Sequence, residues 1–270
     1  MKQQEENVDS ENLCIDDILS YYKKSGRHDL VFRKNITPYR VLVSEVMLQQ
    51  TQVSRVLPKY SEWMKLYPTL TALSKATLTE VLVLWQGLGY QRRAKALLLV
   101  AKAHSKLPTS YEELLKLPGI GTYTASAICA FAYDTFSHPV LETNIRTVLI
   151  EYFHLGEEGI HDGLLYDDLT RLEQYPQVKK LGARNFYYAI MDYGAYLKSK
   201  KISHNTKSRH HVVQSAYKGS HRELRAKVLF AITHTRELPK DIKDVRLGIV
   251  VAELIKEGFI IQKGKKYSIA

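Results

Sequence analysis

Before residue 200 the apolar positions recur at three- and four-residue spacing almost without a break. Segments 15–24, 38–50, 53–64, 78–85, 91–104, 111–116, 123–133, 144–153, 162–175 and 183–197 each carry this helical rhythm. Turn signals separate them: Tyr67-Pro68-Thr69, Gly87-Leu88-Gly89 and Leu107-Pro108-Thr109. There is no internal repeat and no low-complexity segment. Beyond a basic stretch the pattern changes. Residues 221–233 and 244–257 read as two more helices, and Gly258 caps the second. Residues 259–262, 263–265 and 266–269 then read as strand, turn and strand. Helices followed by a basic-tipped hairpin suggest a small winged-helix-like module, of a kind that binds DNA or protein or fills a structural role. The expected fold class is all-α. A main helical domain spans 1–197, a basic linker 198–217, and the winged-helix-like module 218–270.

Within the main domain, Leu117-Pro118-Gly119-Ile120-Gly121-Thr122-Tyr123-Thr124-Ala125 reads as a tight turn between two helices. Pro118 stops the first helix. Gly119 and Gly121 permit backbone angles closed to other residues and leave room for a close approach. The start of the second helix aims consecutive backbone N–H groups at one outside point, which suits a phosphate. An ordinary helix-turn with a glycine cap has the same local sequence.

Charge adds a partner class. The net charge is +11 on 270 residues, which fits a polyanion partner or a solvated basic surface. Its distribution is uneven. Between Asp192 and Glu223 there is no acid, but there are seven basic residues: Lys198, Lys200, Lys201, Lys207, Arg209, Lys218 and Arg222. Such a block is a candidate nucleic-acid track or a mobile basic linker. No apolar run approaches the roughly 20 residues that span a membrane. The N-terminal MKQQEENVDSEN is polar and acidic, unlike a secretory or transit signal. The expected location is therefore the cytoplasm, or the nucleoid of a prokaryote. The two cysteines, Cys14 and Cys129, lie in apolar helical surroundings and in no metal-binding spacing, so they read as reduced core thiols.

Two carboxylates could carry chemistry. Glu45 is followed by apolar Val46, Met47 and Leu48, on a helix that is largely buried. Such a carboxylate sits either at a helix margin in water or in a pocket. In a pocket, burial raises its pKa and suits it to donate a proton near neutral pH. The run Gln49-Gln50-Thr51-Gln52 directly after it could reach base edges or fill a gap in a base stack. Glu142 follows apolar Val140 and Leu141 and lies just before a helix starting near Asn144. It is a helix-capping carboxylate, or the second member of a glycosidase pair. Cleaving a glycosidic bond needs an acid for the leaving group and an anion facing the sugar cation.

The segments FRKNITPYRVLVSEVMLQQTQV, WQGLGYQRRAKAL, LPGIGTYTASAICAFA, PVLETNIRTVL and NFYYAIMDYGA occur in an order and spacing that resemble the helix-hairpin-helix DNA glycosylases, and most of all the MutY adenine glycosylase branch. The resemblance covers roughly residues 28–197. It implies a two-lobed, all-helical domain that cuts the N-glycosidic bond of a flipped-out base in duplex DNA, working as a monomer. By the same resemblance, Glu45 matches the acid that protonates the adenine ring. Glu142 matches the position of the aspartate that stabilises the sugar cation, and Asn144 the asparagine beside it. Tyr123 stands where lyase members carry a Schiff-base lysine, which implies a monofunctional enzyme using water. Gln49 and Gln50 match residues that wedge into the stack, and Thr51 belongs with them. Leu117, Gly119 and Gly121 match the phosphate-holding hairpin.

The chain departs from the family pattern in four places. Glu replaces Asp at 142, which moves the charge by about one methylene where positional tolerances are tight. Leu197 takes the place of the first cysteine of the family's iron–sulfur cluster, and no cysteine follows. No cofactor is expected, and a monovalent cation at the hairpin is the one ion the resemblance leaves room for. Lys198, Lys200, Lys201, Lys207 and Arg209 are expected to replace the cluster loop as a phosphate clamp. The small module stands where the family has a domain reading 8-oxoguanine. Gln91, beside Arg92 on the expected DNA face, replaces a Tyr common in adenine-specific members. The leading expectation is a base excision repair enzyme removing adenine opposite 8-oxoguanine or guanine. The alternatives are a glycosylase for thymine or uracil opposite guanine or for hypoxanthine, and a catalytically silent lesion-sensing DNA-binding protein.

Overall fold

The apolar periodicity becomes helix almost throughout. The computed structural model describes residues 2–239, 242, 244–264 and 266–270, with side chains from residue 8 onward. Among the described residues the order is α1 (Lys2–Ser25), α2 (Pro38–Leu48), α3 (Val53–Leu66), α4 (Leu70–Ser74), α5 (Leu78–Leu84), α6 (Arg92–Ala103), α7 (Tyr111–Leu114), α8 (Thr122–Tyr133), α9 (Thr143–Phe153), α10 (Asp162–Leu172), α11 (Pro176–Leu181), α12 (Ala183–Ser199), α13 (His221–Thr235), α14 (Leu247–Lys256), β1 (Ile260–Lys263) and β2 (Lys266–Ile269). The described residues are thus all-α apart from one short hairpin. Lys265, in the expected turn of that hairpin, lies outside the described residues.

The differences from expectation have local causes. α1 begins at Lys2 rather than near residue 15. Its first residues are Lys, Gln and Glu, good helix formers that show no apolar period. α4 and α11 are too short for periodicity to reveal. A cap sets α4, where the Thr69 hydroxyl accepts from Ala72 N at 3.1 Å, and Pro176 opens the first turn of α11. α14 starts three residues late because Asp244 is used in a turn, accepting from Arg246 N at 2.9 Å.

The chain forms two compact units. The first comprises Met1–Leu42, Pro108–Lys116 and Ile120–Val212, and the second Val43–Leu107, Leu117–Gly119 and Val213–Ala270.

In the first unit α12 packs along α9, with α1 and α8 against α12. Gly194 makes the close approach possible. A Cβ built there would lie 2.2 Å from the Asn144 carbonyl oxygen, so α12 rests directly on the backbone of the first turn of α9. Beside this seam, Asp192 collects two arginines from the segment after α1. Arg33 forks onto it at 2.8 and 2.8 Å, and Arg27 donates from its backbone N at 2.7 Å and its Nε at 2.6 Å. Burial alone would raise the Asp192 pKa, but the Arg33 bonds and charge, with those of Arg27, hold it below the ordinary 3.8.

A second buried carboxylate shifts the other way. Glu173, 3% exposed at the end of α10, accepts a short hydrogen bond from the Tyr187 hydroxyl. Burial pushes its pKa up to about 7 from an ordinary 4.5, against the opposing effect of that bond. A raised carboxyl pKa gives stability that is complete below pH 4.5 and lost as pH rises through about 7. The Glu173→Gln protein should therefore gain thermal stability over the wild type at pH 7.5 by more than at pH 5. Melting curves at the two pH values check this, and an equal difference at both would mean that Glu173 does not titrate in that window.

In the second unit α5 packs on α3 and α6, and α6 on α4. Thr77 and Glu80 close a reciprocal capping box at the start of α5. Both tryptophans lie here. Trp63 and Trp85 are 0% and 1% exposed and meet edge to face with ring centroids 5.6 Å apart. The C-terminal residues form α13 against α14, with β2 on α13 and β1 on α14. The strands pair antiparallel from Ile260 opposite Ile269 to Lys263 opposite Lys266. Glu257 ties this assembly to α6. It accepts both Arg92 nitrogens, at 2.9 and 2.5 Å, and two from Arg225, at 3.1 and 2.7 Å, while Lys95 Nζ reaches the carbonyls of Glu257 and Gly258. The Arg92 bonds first, then those of Arg225, press the Glu257 pKa down to about 2 despite its partial burial.

Candidate active site

Glu45 sits in the second unit on α2, 6% exposed between the buried Ser44 and Val46. It is a carboxylate inside the protein, not at a solvated helix margin. α2 stops at Leu48, two residues earlier than periodicity suggests, because Gln50 turns into the left-handed region at φ +52°. That turn leaves Gln49 half-buried and Gln50 exposed.

One arginine organises this corner. Arg93 donates Nη1 to the carbonyls of Val46 at 2.7 Å and Gln49 at 2.6 Å, at the C-terminal end of α2. Its Nη2 donates to the carbonyls of Leu88 at 2.9 Å and Gly89 at 3.2 Å and to the Thr51 hydroxyl at 3.3 Å. Thr51 Oγ1 in turn donates to the Gln49 carbonyl at 3.2 Å. The guanidinium pins the glutamine turn to the 87–89 turn, at the cost of its own solvation: burial lowers its pKa to about 10. Gln91 precedes α6 without capping it by its side chain. Arg92 is exposed, with its fork occupied by Glu257.

At the hairpin, Leu117 and Ile120 are buried while Pro118, Gly119 and Gly121 are exposed. Gly119 is required on two counts. Its φ is +76°, and a Cβ there would lie 2.6 Å from the Ala96 Cβ. Gly121 is different. Its backbone is extended, at φ −95° and ψ −178°, and its Cβ position is open. It begins α8 without a side-chain cap, which keeps side-chain bulk away from the first turn. Tyr123 lies half-buried in that turn.

In the first unit, Glu142 is the N-cap of α9. Its Oε1 accepts from Asn144 N at 2.7 Å and Ile145 N at 3.1 Å, and its Oε2 from Asn144 Nδ2 at 3.2 Å. Burial raises its pKa above the ordinary 4.5, and the Ile145 bond, the Lys198 charge and the Asn144 bonds reverse only part of that rise. Lys198, half-buried in the last turn of α12, has its own pKa lowered by burial against the pull of Glu142. Arg146, one turn further along α9, is taken up by Asp162 at 2.8–3.2 Å.

Lys200 and Lys201 are exposed just beyond α12, Lys200 with its Nζ 5.6 Å from the centroid of the Tyr196 ring. The basic stretch is fastened to the first unit along part of its length. Asn205 Nδ2 donates to the Thr147 hydroxyl at 3.2 Å, His204 bonds Glu151, and Ile160 exchanges backbone bonds of 2.9 Å with Lys207 and Arg209. The residues present do not fit a four-thiolate iron–sulfur cluster. Leu197 is packed at 5% exposure, and the two cysteines are buried on α1 and α8.

Sequence reasoning passed over Arg93 and Tyr90. Two adjacent arginines after GLGYQ look alike, and only the fold shows that Arg93 turns inward while Arg92 meets an acid 165 residues away. The glycine pair before Tyr90 was the available signal for an unusual turn.

The buried carboxylate on α2, the glycine hairpin ahead of α8 and the carboxylate capping α9 are each set in helical segments of the chain. The chain belongs to the HhH-GPD superfamily of base excision DNA repair proteins, whose profile matches residues 43–181. It is 35% identical over 193 residues to an adenine DNA glycosylase of Buchnera aphidicola subsp. Schizaphis graminum, covering 68% of this chain and 54% of that protein. It is 37% identical over 184 residues to an adenine DNA glycosylase of Mycobacterium tuberculosis, covering 66% of this chain and 59% of that one. The chain thus spans about half the length of the curated relatives it matches. Its fold is similar to that of a thermostable thymine-DNA glycosylase, with a TM-score of 0.60 at 20% identity, covering 74% of this chain and 93% of that one. No helix among the described residues is long and apolar enough to cross a membrane.

Proposed function

We propose that this chain is a monofunctional DNA glycosylase, acting as a monomer on a mispaired base in duplex DNA, with adenine opposite 8-oxoguanine or guanine as the first substrate. The observation that carries this reading is the burial of Glu45 on α2, directly before the glutamine turn. A carboxyl in that setting can hold a proton and deliver it to a leaving base. The names of the bacterial relatives support adenine as that base. In this reading the base leaves protonated by Glu45, which then orients the attacking water. Glu142, fixed by Asn144, faces the sugar cation as it develops. The exposed side of the hairpin holds a backbone phosphate, and Lys200 and Lys201 add phosphate contacts. Neither metal nor cofactor takes part beyond a monovalent cation at the hairpin.

Single-turnover cleavage of duplexes carrying a panel of mispairs tests the reading. Adenine opposite 8-oxoguanine or guanine should be cut fastest. Faster cutting of thymine or uracil opposite guanine would move the specificity within the family. With Tyr123 where a lysine would form a Schiff base, the product should be an intact abasic strand that breaks only with alkali or heat. Borohydride trapping at lyase-like yield would overturn the monofunctional assignment. The purified protein should be colourless and free of stoichiometric iron, as two thiols cannot ligate a cluster that needs four.

One observation favours a second reading. Both Glu142 oxygens are engaged by the first turn of α9. A carboxylate so occupied suits a protein that binds lesions without cutting them. Tight binding to a mispair with no cleavage of any substrate in the panel would select it.

A further inference from the structure

The β1–β2 hairpin carries a pairing that works against its own folding. Lys263 and Lys266 stand directly opposite each other as the last pair of the strands. Both are exposed, and like charges placed opposite one another destabilise a strand pair. Among the described residues neither side chain has an ion pair or a hydrogen bond. Gln262, the residue before Lys263, turns its amide along the strand and donates Nε2 to the Gly264 carbonyl at 3.0 Å. The lysines are therefore the groups that the end of the hairpin offers to an anion.

A third cation stands beside them. Arg236 ends α13 in the left-handed region, at φ +57°, and its carbonyl accepts from Tyr267 N at 3.4 Å. That bond sets its backbone against the residue that follows Lys266. Strain at a non-glycine residue persists where surrounding contacts enforce it, and it gathers at ligand-contacting positions. The Arg236 side chain is exposed and, among the described residues, unpaired as well. Acids nearby are committed to other cations. Glu223 holds Lys227, Glu253 holds His221 and Arg225, Glu257 holds Arg92 and Arg225, and Asp244 holds Arg246. From Gly258 to Ala270 the sequence contains no acid. Cations that serve the internal structure of this assembly, such as Arg225 and Arg246, thus have carboxylates, whereas Lys263, Lys266 and Arg236 do not.

One small anion could bridge the two lysines. A polyanion with successive charges can satisfy all three cations and turn the repulsion at the strand ends into attraction. The chain belongs to a superfamily of DNA repair proteins and carries a net charge of +11. The hairpin assembly is also fastened within the second unit. Glu257 ties it to α6, and Arg93 of α6 ties that helix to the glutamine turn.

We propose that Lys263, Lys266 and Arg236 form a phosphate-binding surface through which the C-terminal hairpin holds the backbone of duplex DNA. Such contacts add affinity and fix orientation but read no sequence. The inference needs DNA as the partner and is indifferent to which base is excised.

The test uses the full chain with matched and mispaired duplexes, read by fluorescence anisotropy over a salt series. Lys263→Ala combined with Lys266→Ala should weaken both duplexes alike, by roughly tenfold or more at about 0.1 M salt, and flatten the slope of log affinity against log salt by about 1.8. Arg236→Gln should flatten it by about 0.9. Lys263→Glu separates binding from folding. It places a carboxylate opposite Lys266, so the melting temperature should hold or rise while DNA affinity falls. Lys179→Ala combined with Lys180→Ala removes the same charge from the exposed end of α11 in the first unit and should keep the wild-type slope. A wild-type slope in the Lys263 variants overturns the proposal and leaves the hairpin to a partner such as an acidic protein. An equal loss of slope in the Lys179 and Lys180 variant overturns it too, since net charge alone would then explain the effect. So does a lowered melting temperature in Lys263→Glu, which would make the lysine structural. The cleavage panel stands apart. Loss of slope in a protein that cuts no mispair sinks the glycosylase reading alone, and robust cutting with an unchanged slope sinks this one alone.

Discussion

The Glu45→Gln protein should bind a mispair duplex as the wild type does and fail to cut it, with single-turnover cleavage slower by roughly 10²–10⁴-fold. Glutamine keeps the shape of the side chain but has no proton to give at neutral pH. Glu45 is 6% exposed, so the substitution also removes an ionisable group from the interior. Retained binding by the variant shows that its fold is intact, so that lost cleavage reports lost chemistry. The two measurements are binding by gel shift and cleavage under enzyme excess. Near-normal cleavage would remove Glu45 from the chemistry and take the leading functional reading with it.

Asp192→Ala should cost more stability than any surface change in the chain, about 3–5 kcal/mol. The aspartate side chain is 1% exposed and that of Arg33 6%. Removing the acid leaves the Arg33 guanidinium inside the protein without its counter-charge, held over the Tyr188 ring at 4.1 Å. Arg27, with a side chain 36% exposed, can turn to water and contributes less. For a chain of this size the melting temperature should fall by on the order of 10 °C. Because the folded pKa of Asp192 is depressed, its contribution is complete above about pH 3.8 and is lost as pH falls below that value. The difference between wild type and variant should therefore shrink in acid. A variant that melts within about 2 °C of the wild type at pH 7 would show that the cluster is not holding the segment after α1 to α12.

Much of the fold could be read from the sequence because it is written locally. Apolar spacing located twelve of the fourteen helices described, all but α4 and α11, and the apolar pair Val140-Leu141 placed Glu142 at a helix start, where the structure has it as the N-cap of α9. Whether Glu45 lies in water or in a pocket was left open by Val46, Met47 and Leu48, and only the fold shows it 6% exposed. What could not be read was set by distant partners. Nothing near Arg93 announces that it will close the end of α2, and nothing near Tyr90 announces Gln214 and Arg222, more than 120 residues later. Gly121 shows a further limit. Its presence suggested a forbidden angle, yet its backbone is ordinary, and only Gly119 of the pair needs the freedom. Short helices such as α4 escaped for want of length, since five residues contain little more than one period.

The placement of Trp63 and Trp85 has a practical consequence. Both indoles of the chain lie in the second unit, buried and in contact. Excitation at the red edge of the aromatic band therefore samples that unit alone, while far-ultraviolet dichroism samples helices of both. If the units melt together, emission and ellipticity will trace one denaturant transition. If the helices around α12 and α9 give way separately, ellipticity will fall over a range in which emission stays constant. The protein thus carries its own optical label for deciding whether its two parts unfold as one.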